Sequence, residues 1–311
     1  MFLIAGGMHS GGVALLYVAR VLSGVSAGVF AGTATAALAD LAGPGRRRRA
    51  SLVAAVASIG GLGFGPLLSG LLARSVAGPL HTAYVVHLAL VLAGTAAVLA
   101  TPEPVALDGP RRWRFQRLSL PPGRRAVFVE AGAVSFAGFA LLGMFTSVSP
   151  AVLALLRHHN PALTGLVVFV VFAASTIAQI ASSRLARNPV FLAGTAGLIV
   201  GLGLVAASLA ASSLGLLVAG GVVGGAAQGA SFRAALELVT EISPAAQRSG
   251  VASSFFALSY VGLSLPIVGI GVGTRAYGLV HTGEVFTAVV GALTVIALTS
   301  VAMRLRRPLG T

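Results

Sequence analysis

The chain alternates long apolar segments with short polar ones. A membrane-spanning helix needs about 20 apolar residues. Nine segments meet that length, at approximately 12–41, 50–73, 82–101, 126–149, 162–184, 190–211, 214–240, 246–272 and 282–303. The apolar stretch at residues 1–8 is too short to span a bilayer and lacks the basic flank of a signal peptide. The pattern predicts an all-α membrane protein with nine full transmembrane helices and a partial one at the N-terminus.

The positions of the basic residues predict the orientation of these helices. All 21 basic residues are arginine, and with 7 acidic residues they give a formal charge of +14. One set of alternate loops holds most of the arginines, whereas the opposite set holds only Arg74, Arg157 and Arg275. Because cytoplasmic loops collect positive charge, we expect a multi-pass protein of the plasma membrane with a cytoplasmic C-terminus.

Composition excludes several kinds of chemistry. The chain has no lysine and no cysteine, so Walker-type phosphate loops, lysine Schiff bases, thiolate nucleophiles and cysteine-bound metals are excluded. We therefore expect no enzyme activity, no cofactor and no metal site. Arginines mixed with aromatic residues at 111–117 suit the anionic inner leaflet, with Trp113 at the interface, rather than nucleic acid.

Two parts of the chain show the same order of landmarks at an offset of 200 residues. In each part a small-residue helix precedes a short proline loop, an arginine and a second helix with a central proline, Pro66 or Pro266. Parallel repeats of this kind are typical of one large transporter class. We divide the chain into the remnant of an N-terminal bundle (1–101), a cytoplasmic basic linker (102–125) and a C-terminal six-helix bundle (126–311). Two spans of the second half have no partner in the first, so we expect an N-terminally truncated protein.

Two glycine motifs resemble those of the major facilitator superfamily. RVLSGVSAG, with Arg20, Gly24 and Gly28, resembles the Arg-x-x-x-Gly-x-x-x-Gly pattern of the family's fourth span. GLGFGPLLSG, at residues 61–70, resembles the fifth-span pattern of the drug/proton antiporter branch, with Ser69 in place of one closing glycine. The resemblance implies a major facilitator-type helical bundle that runs from the late third span to the twelfth.

The resemblance also implies a role for the fifth-span glycines and proline in the conformational change. The residues concerned are Gly61, Gly65, Pro66 and Gly70, together with Gly24 and Gly28 of the preceding span. A flexible contact between the two halves is one interpretation, and plain Gly-x-x-x-Gly helix packing is the other.

Ionisable residues inside spans are candidates for transport and proton coupling, because burying them is costly. By resemblance Arg20 faces the central cavity, and the alternative is an arginine that extends to the headgroups. Arg233 and Glu237 are four residues apart and can pair on one helix face, either structurally or in transport. Glu130 is a candidate proton carrier or the partner of an interfacial arginine, Arg124 or Arg125.

Acidic residues at helix ends are candidates for a cytoplasmic gate. By resemblance Asp40 meets an arginine of a loop that the chain lacks, and Glu241 occupies nearly the equivalent place in the second half. We expect Glu241 to approach Arg184 or Arg187. Mid-span polar and aromatic side chains are candidates for lining the substrate cavity, although packing explains them equally well. They are Gln179, Gln228, Phe255, Phe256 and Tyr260.

These features favour proton-coupled efflux of lipophilic or drug-like small molecules by alternating access. The alternatives are proton-coupled uptake of a sugar or metabolite, and a truncated fragment that does not transport. The partners we expect are a small-molecule substrate, protons and the lipid bilayer, for a monomer without nucleic acid.

Overall fold

The computed structural model describes residues 47–76, 78–101, 119–121, 123–244 and 247–306, with isolated positions between residues 15 and 41. These ranges contain eight α-helices and no β-strand. The helices are α1 (Arg47–Ser75), α2 (Pro79–Leu99), α3 (Arg125–Leu155), α4 (Pro161–Ser182), α5 (Arg187–Ala210), α6 (Leu214–Glu241), α7 (Arg248–Tyr277) and α8 (Leu279–Arg306).

Each of the eight helices is long and apolar enough to cross a membrane. Their spanning segments have mean hydropathies from 1.4 to 2.2. The all-helical prediction is therefore confirmed for the described ranges. The predicted span at 12–41 and the stub before it lie outside them apart from isolated positions, so the count of nine helices and a partial one stays a prediction.

Polar caps mark where the chain enters its spans. Asn160 accepts a hydrogen bond from the Ala162 amide at 3.0 Å, and Pro161 follows at the first helical position of α4. Ser213 caps α6 by accepting from the Leu216 amide at 3.4 Å. These side chains satisfy amides that have no carbonyl partner within the helix. Inside lipid the remaining backbone groups must bond within the helix, which favours long uninterrupted helices.

Helices α3 to α8 pack against one another, and α3 is the most buried. Helix α1 packs along α4, and α2 packs mainly on α1. The connections within α3–α8 are short, so successive helices run in opposite directions. We call the end of the bundle that holds Arg187 and Glu241 the arginine-rich end, because Arg125, Arg184 and Arg304 lie at the same end. Arg157 and Arg275 lie at the opposite end.

Glycines allow the helices of this group to approach closely. A Cβ on Gly201 of α5 would lie 2.5 Å from the Cα of Gly224 in α6, and a Cβ on Gly225 would collide with the carbonyl oxygen of Val171 in α4. Small residues that bring backbones together are the usual means of association between helices in lipid. Helix α6 is thereby held between α4 and α5.

Candidate functional site

The first candidate feature is the tight seam between α1 and α4. A Cβ on Gly63 would lie 2.5 Å from the Cβ of Phe172, and one on Gly165 would lie 3.0 Å from the Cα of Leu67. A Cβ on Gly70 would collide with the carbonyl oxygen of Pro161. The two helices therefore touch almost backbone to backbone along this stretch, which links α1 to the group α3–α8.

The seam uses different glycines from the pair singled out in the sequence. Gly61 and Gly65 lie on another face of α1, and no described residue comes within 4 Å of a Cβ built on either. Gly63 and Gly70 are seven residues apart, so two helical turns return them to the α4-facing side, whereas Gly61 is rotated about 200° from Gly63. Pro66 and Gly70, also in the predicted motif, do lie on the seam.

Gly61 and Gly65 instead border a crevice between α1 and α2. The α1–α2 crevice has a volume of about 290 Å³ and is lined by leucines and by Gly61, Phe64, Gly65, Ser69, Ala83 and His87. His87 was not among the residues predicted from the sequence. Its signal was nevertheless present, because a histidine eight residues into an apolar span is a functional candidate by default.

Arg233 of α6 is held by partners on two helices. Its Nε donates to Ser182 Oγ of α4 at 3.1 Å, and one terminal nitrogen donates to Glu237 Oε2 at 2.8 Å. The other terminal nitrogen is buried and has no hydrogen-bond partner among the described residues. The arginine side chain is 14% exposed and that of Glu237 is 53% exposed. In this ion pair the arginine is therefore largely buried, and the glutamate is exposed.

The two glutamines predicted for a cavity lie inside a helix interface. Ser175 Oγ donates to Gln228 Oε1 at 2.6 Å, and Gln179 Nε2 donates to Ser175 Oγ at 3.4 Å. Gln179 and Gln228 are each 1% exposed. Gly138 of α3 makes room for Gln228, since a Cβ there would lie 2.7 Å from Gln228 Cγ. Gln228 therefore joins α6 to α4 through Ser175, whereas the bond of Gln179 lies within α4. The buried Nε2 of Gln228 has no hydrogen-bond partner among the described residues.

The predicted aromatic residues belong to a larger cluster between α3, α6 and α7. Phe255 is fully buried and stacks on Phe232 with ring centroids 5.8 Å apart. Phe256 contacts the same ring at 5.9 Å. Tyr260 is 38% exposed and meets Phe139 edge-on at 6.0 Å. Phe255 is thus a packing residue, and Tyr260 lies at the open edge of the cluster.

Glu130 forms an ion pair, but with neither arginine that the sequence suggested. Its two carboxylate oxygens accept from Ser300 Oγ at 2.6 Å and from Arg304 Nε at 2.7 Å, which joins α3 to α8. Arg125 and Arg124 precede Glu130 by five and six residues, and neither spacing brings two side chains to one helix face. Glu130 is 14% exposed, so the pair is largely enclosed.

An ion pair between Arg187 of α5 and Glu241 of α6 lies at the arginine-rich end. Of the two arginines proposed to approach Glu241, Arg187 makes the contact, and Arg184 forms no ion pair with a described residue. Arg20, Gly24, Gly28 and Asp40 lie outside the described residues. Within the described ranges, no group of three or more histidine, aspartate or glutamate side chains is arranged to hold a metal ion.

Comparison with known proteins places the chain in a family. The family model described as Major Facilitator Superfamily matches residues 1–189, which is more than half of the 311 residues. No curated protein matches the chain. The family match agrees with eight membrane-length helices and with an ion pair inside a span. The chain therefore belongs to the major facilitator superfamily and is a multi-pass membrane protein of the secondary transporter class.

Proposed function

We propose that the protein exports lipophilic or drug-like small molecules in exchange for protons, with the Arg233–Glu237 pair as the proton-coupled group. The observation that carries the proposal is the position of this pair. Arg233 lies eight residues before the end of α6, about 12 Å into the helix at 1.5 Å per residue. Charged residues inside the hydrocarbon region are costly, so they are seldom kept without a role.

The asymmetry of the pair suggests how a proton acts on it. Glu237 is the more exposed partner, so a proton from the arginine-rich end reaches its carboxylate first. Protonation removes the negative charge that faces Arg233. The guanidinium then loses its counter-charge but keeps its hydrogen bond to Ser182 of α4, and its unpartnered nitrogen is already buried. Protonation of Glu237 thereby alters the contact between α4 and α6.

The α1–α4 seam supports a rocking movement of two halves. In this proposal residues 1–101 belong to one half and residues 126–311 to the other, with residues 102–125 as the linker. The seam is nearly bare of side chains at Gly63, Gly70 and Gly165, so the two helices can slide or separate without unlocking interdigitated side chains. Tyr260, at the exposed edge of the aromatic cluster, is the side chain best placed to meet a lipophilic substrate.

The orientation follows from the charges. We place the arginine-rich end and the C-terminus in the cytoplasm of a plasma-membrane protein, following the bias of arginine towards one set of loops. The Arg187–Glu241 pair then lies at the cytoplasmic surface, where it ties the start of α5 to the end of α6. Arg20, by resemblance, and Asp40 complete the candidate residues of the other half.

Transport by the full chain in everted membrane vesicles tests the proposal. We expect an imposed proton gradient to drive accumulation of at least one member of a panel of lipophilic fluorescent compounds. Glu237→Gln should reduce the gradient-driven rate by about tenfold, since it removes the titrating group. Glu284→Gln is the matched control, because Glu284 has the same 53% side-chain exposure but lies on α8 at the opposite end.

Two results would contradict the proposal. One is the absence of gradient-dependent accumulation across the whole panel. The other is an equal loss of transport in the Glu237 and Glu284 variants. If a proton gradient of the opposite sense drives a sugar into right-side-out vesicles, the substrate class and the direction are those of metabolite uptake.

A further inference from the structure

The α1–α2 crevice is a cavity that the transport proposal does not use. Its volume of about 290 Å³ lies near the lower end of the range found for small-molecule sites, about 300–1,000 Å³. Gly61 and Gly65 border it, and no described residue lies within 4 Å of a Cβ built on either. A glycine in a membrane helix ordinarily allows a close helix contact. Among the residues that the structure describes, none packs into the space beside these two glycines.

Two polar side chains face this otherwise apolar space. His87 lies about 12 Å into α2 at 1.5 Å per residue, and Ser69 lines the same crevice from α1. Both are exposed rather than packed into the protein. An imidazole and a hydroxyl both donate hydrogen bonds. The lining contains no carboxylate, so a cationic ligand would find no counter-charge there.

The mouth of the crevice carries basic side chains. Arg74 ends α1 and His81 lies in the first turn of α2, at the same end of the two helices. Neither described helix of this pair carries an acidic residue. The approach to the crevice is therefore electropositive or neutral, which favours acidic molecules over basic ones.

We propose that the α1–α2 crevice binds a small lipophilic acid, with its carboxylate at His87 and Ser69 and its apolar tail along Phe64, Gly61 and Gly65. The carboxylate accepts hydrogen bonds from the imidazole and the hydroxyl, and the tail fills the space that the missing glycine side chains leave. This site is separate from the Arg233–Glu237 pair. It does not depend on the direction or the coupling of transport.

Photolabelling of the purified full chain in phosphatidylcholine nanodiscs tests this site. The probe is a ten-carbon carboxylic acid that carries a diazirine on its chain, and the control probe has the same chain with a trimethylammonium head. Labelled peptides are mapped by mass spectrometry. We expect the acid to label the crevice-lining parts of α1 and α2 about tenfold more than the cation, because a charge-assisted hydrogen bond favours the carboxylate.

Two variants address the two ends of the site. His87→Leu removes the head contact, and Gly65→Leu fills the tail space. Each should lower crevice labelling by the acid about tenfold. The matched controls are Thr95→Leu, at an exposed polar residue of the same helix outside the crevice lining, and Gly271→Leu, at a glycine of α7 that also has no described neighbour within 4 Å. Both controls should label like the unaltered protein.

Several outcomes would overturn the proposal. Equal labelling by the acid and the cation would show that the crevice selects only for apolar chains, as it would for a membrane lipid. If the acid still labels the crevice in His87→Leu, its carboxylate does not bind at His87. No labelling of these peptides would show that another part of the chain or a tightly held lipid fills the crevice. None of these results bears on vesicle transport, so the two proposals fail separately.

Discussion

Gly63 of α1 lies directly against Phe172 of α4, so closely that a Cβ on the glycine would be 2.5 Å from the Cβ of the phenylalanine. Real Cβ atoms do not approach so closely, and a larger residue at position 63 must push the helices apart. The contact makes the α1–α4 seam sensitive to a single added side chain. If the two halves rock on this seam as proposed, the spacing of the two helices affects both stability and rate.

We predict that Gly63→Val lowers the thermal stability of the protein and slows transport. Overpacking a close contact costs about 1–3 kcal/mol. Unfolding of the purified protein in detergent measures the stability, and vesicle transport measures the rate. Gly94→Val on α2 is the control, since no described residue lies within 4 Å of its Cβ. Equal behaviour of the two variants would show that the seam has no special constraint.

We predict that the Arg187–Glu241 pair affects transport more than stability. Arg187 is 23% exposed and Glu241 is 65% exposed, and a pair so open to solvent is worth about 0.2–1 kcal/mol. Arg187→Glu and Glu241→Arg should each slow the conformational cycle, and the charge-swapped double variant should recover most of the rate. Transport rates of the four proteins form a double-mutant cycle. If the double variant is as slow as the worse single variant, the charges do not act as a pair.

We predict that Glu130→Gln destabilises the fold without abolishing proton coupling. The change weakens two contacts, with Ser300 and with Arg304, and leaves the partly enclosed arginine without its anion. The expected cost is about 1–3 kcal/mol, smaller than for a fully buried pair because Arg304 is 30% exposed. Thermal unfolding measures this loss. If stability is unchanged but proton coupling disappears, Glu130 is the proton carrier instead.

We predict that Gln228→Leu lowers stability and leaves substrate affinity unchanged. Gln228 is 1% exposed and bonds to Ser175, so its loss leaves a buried hydroxyl without its acceptor. The cost of such an unsatisfied group is about 1–3 kcal/mol. Tyr260→Ala, at the exposed edge of the aromatic cluster, should instead raise the KM for a lipophilic substrate. If Gln228→Leu has normal stability but a raised KM, Gln228 contacts the substrate and the prediction is wrong.

The helices could be predicted from the sequence because the backbone of a chain in lipid must form its hydrogen bonds internally. Eight of the nine predicted spans correspond to described helices, since a run of about 20 apolar residues has few other ways to satisfy its backbone. The local pair of Arg233 and Glu237 was also predictable, because residues four apart share a helix face.

Contacts between helices were harder to predict. Glu130 pairs with Arg304, which is 174 residues away, and nothing local in the sequence distinguishes that arginine from nearer ones. The seam face of α1 was also ambiguous, because Gly61, Gly63 and Gly65 are all small and only the position of α4 decides which of them it touches. His87 was predictable in principle, because an ionisable side chain eight residues into an apolar span is a functional candidate by default.

Proton movement that accompanies substrate movement tests the central claim most directly. The full chain is reconstituted in lightly buffered proteoliposomes, and the external pH is recorded when a transported lipophilic compound is added on one side. We predict a pH change that requires the substrate, that Glu284→Gln retains and that Glu237→Gln reduces by about tenfold. Substrate transport with no pH change in the unaltered protein, or an undiminished pH change in Glu237→Gln, would contradict the account.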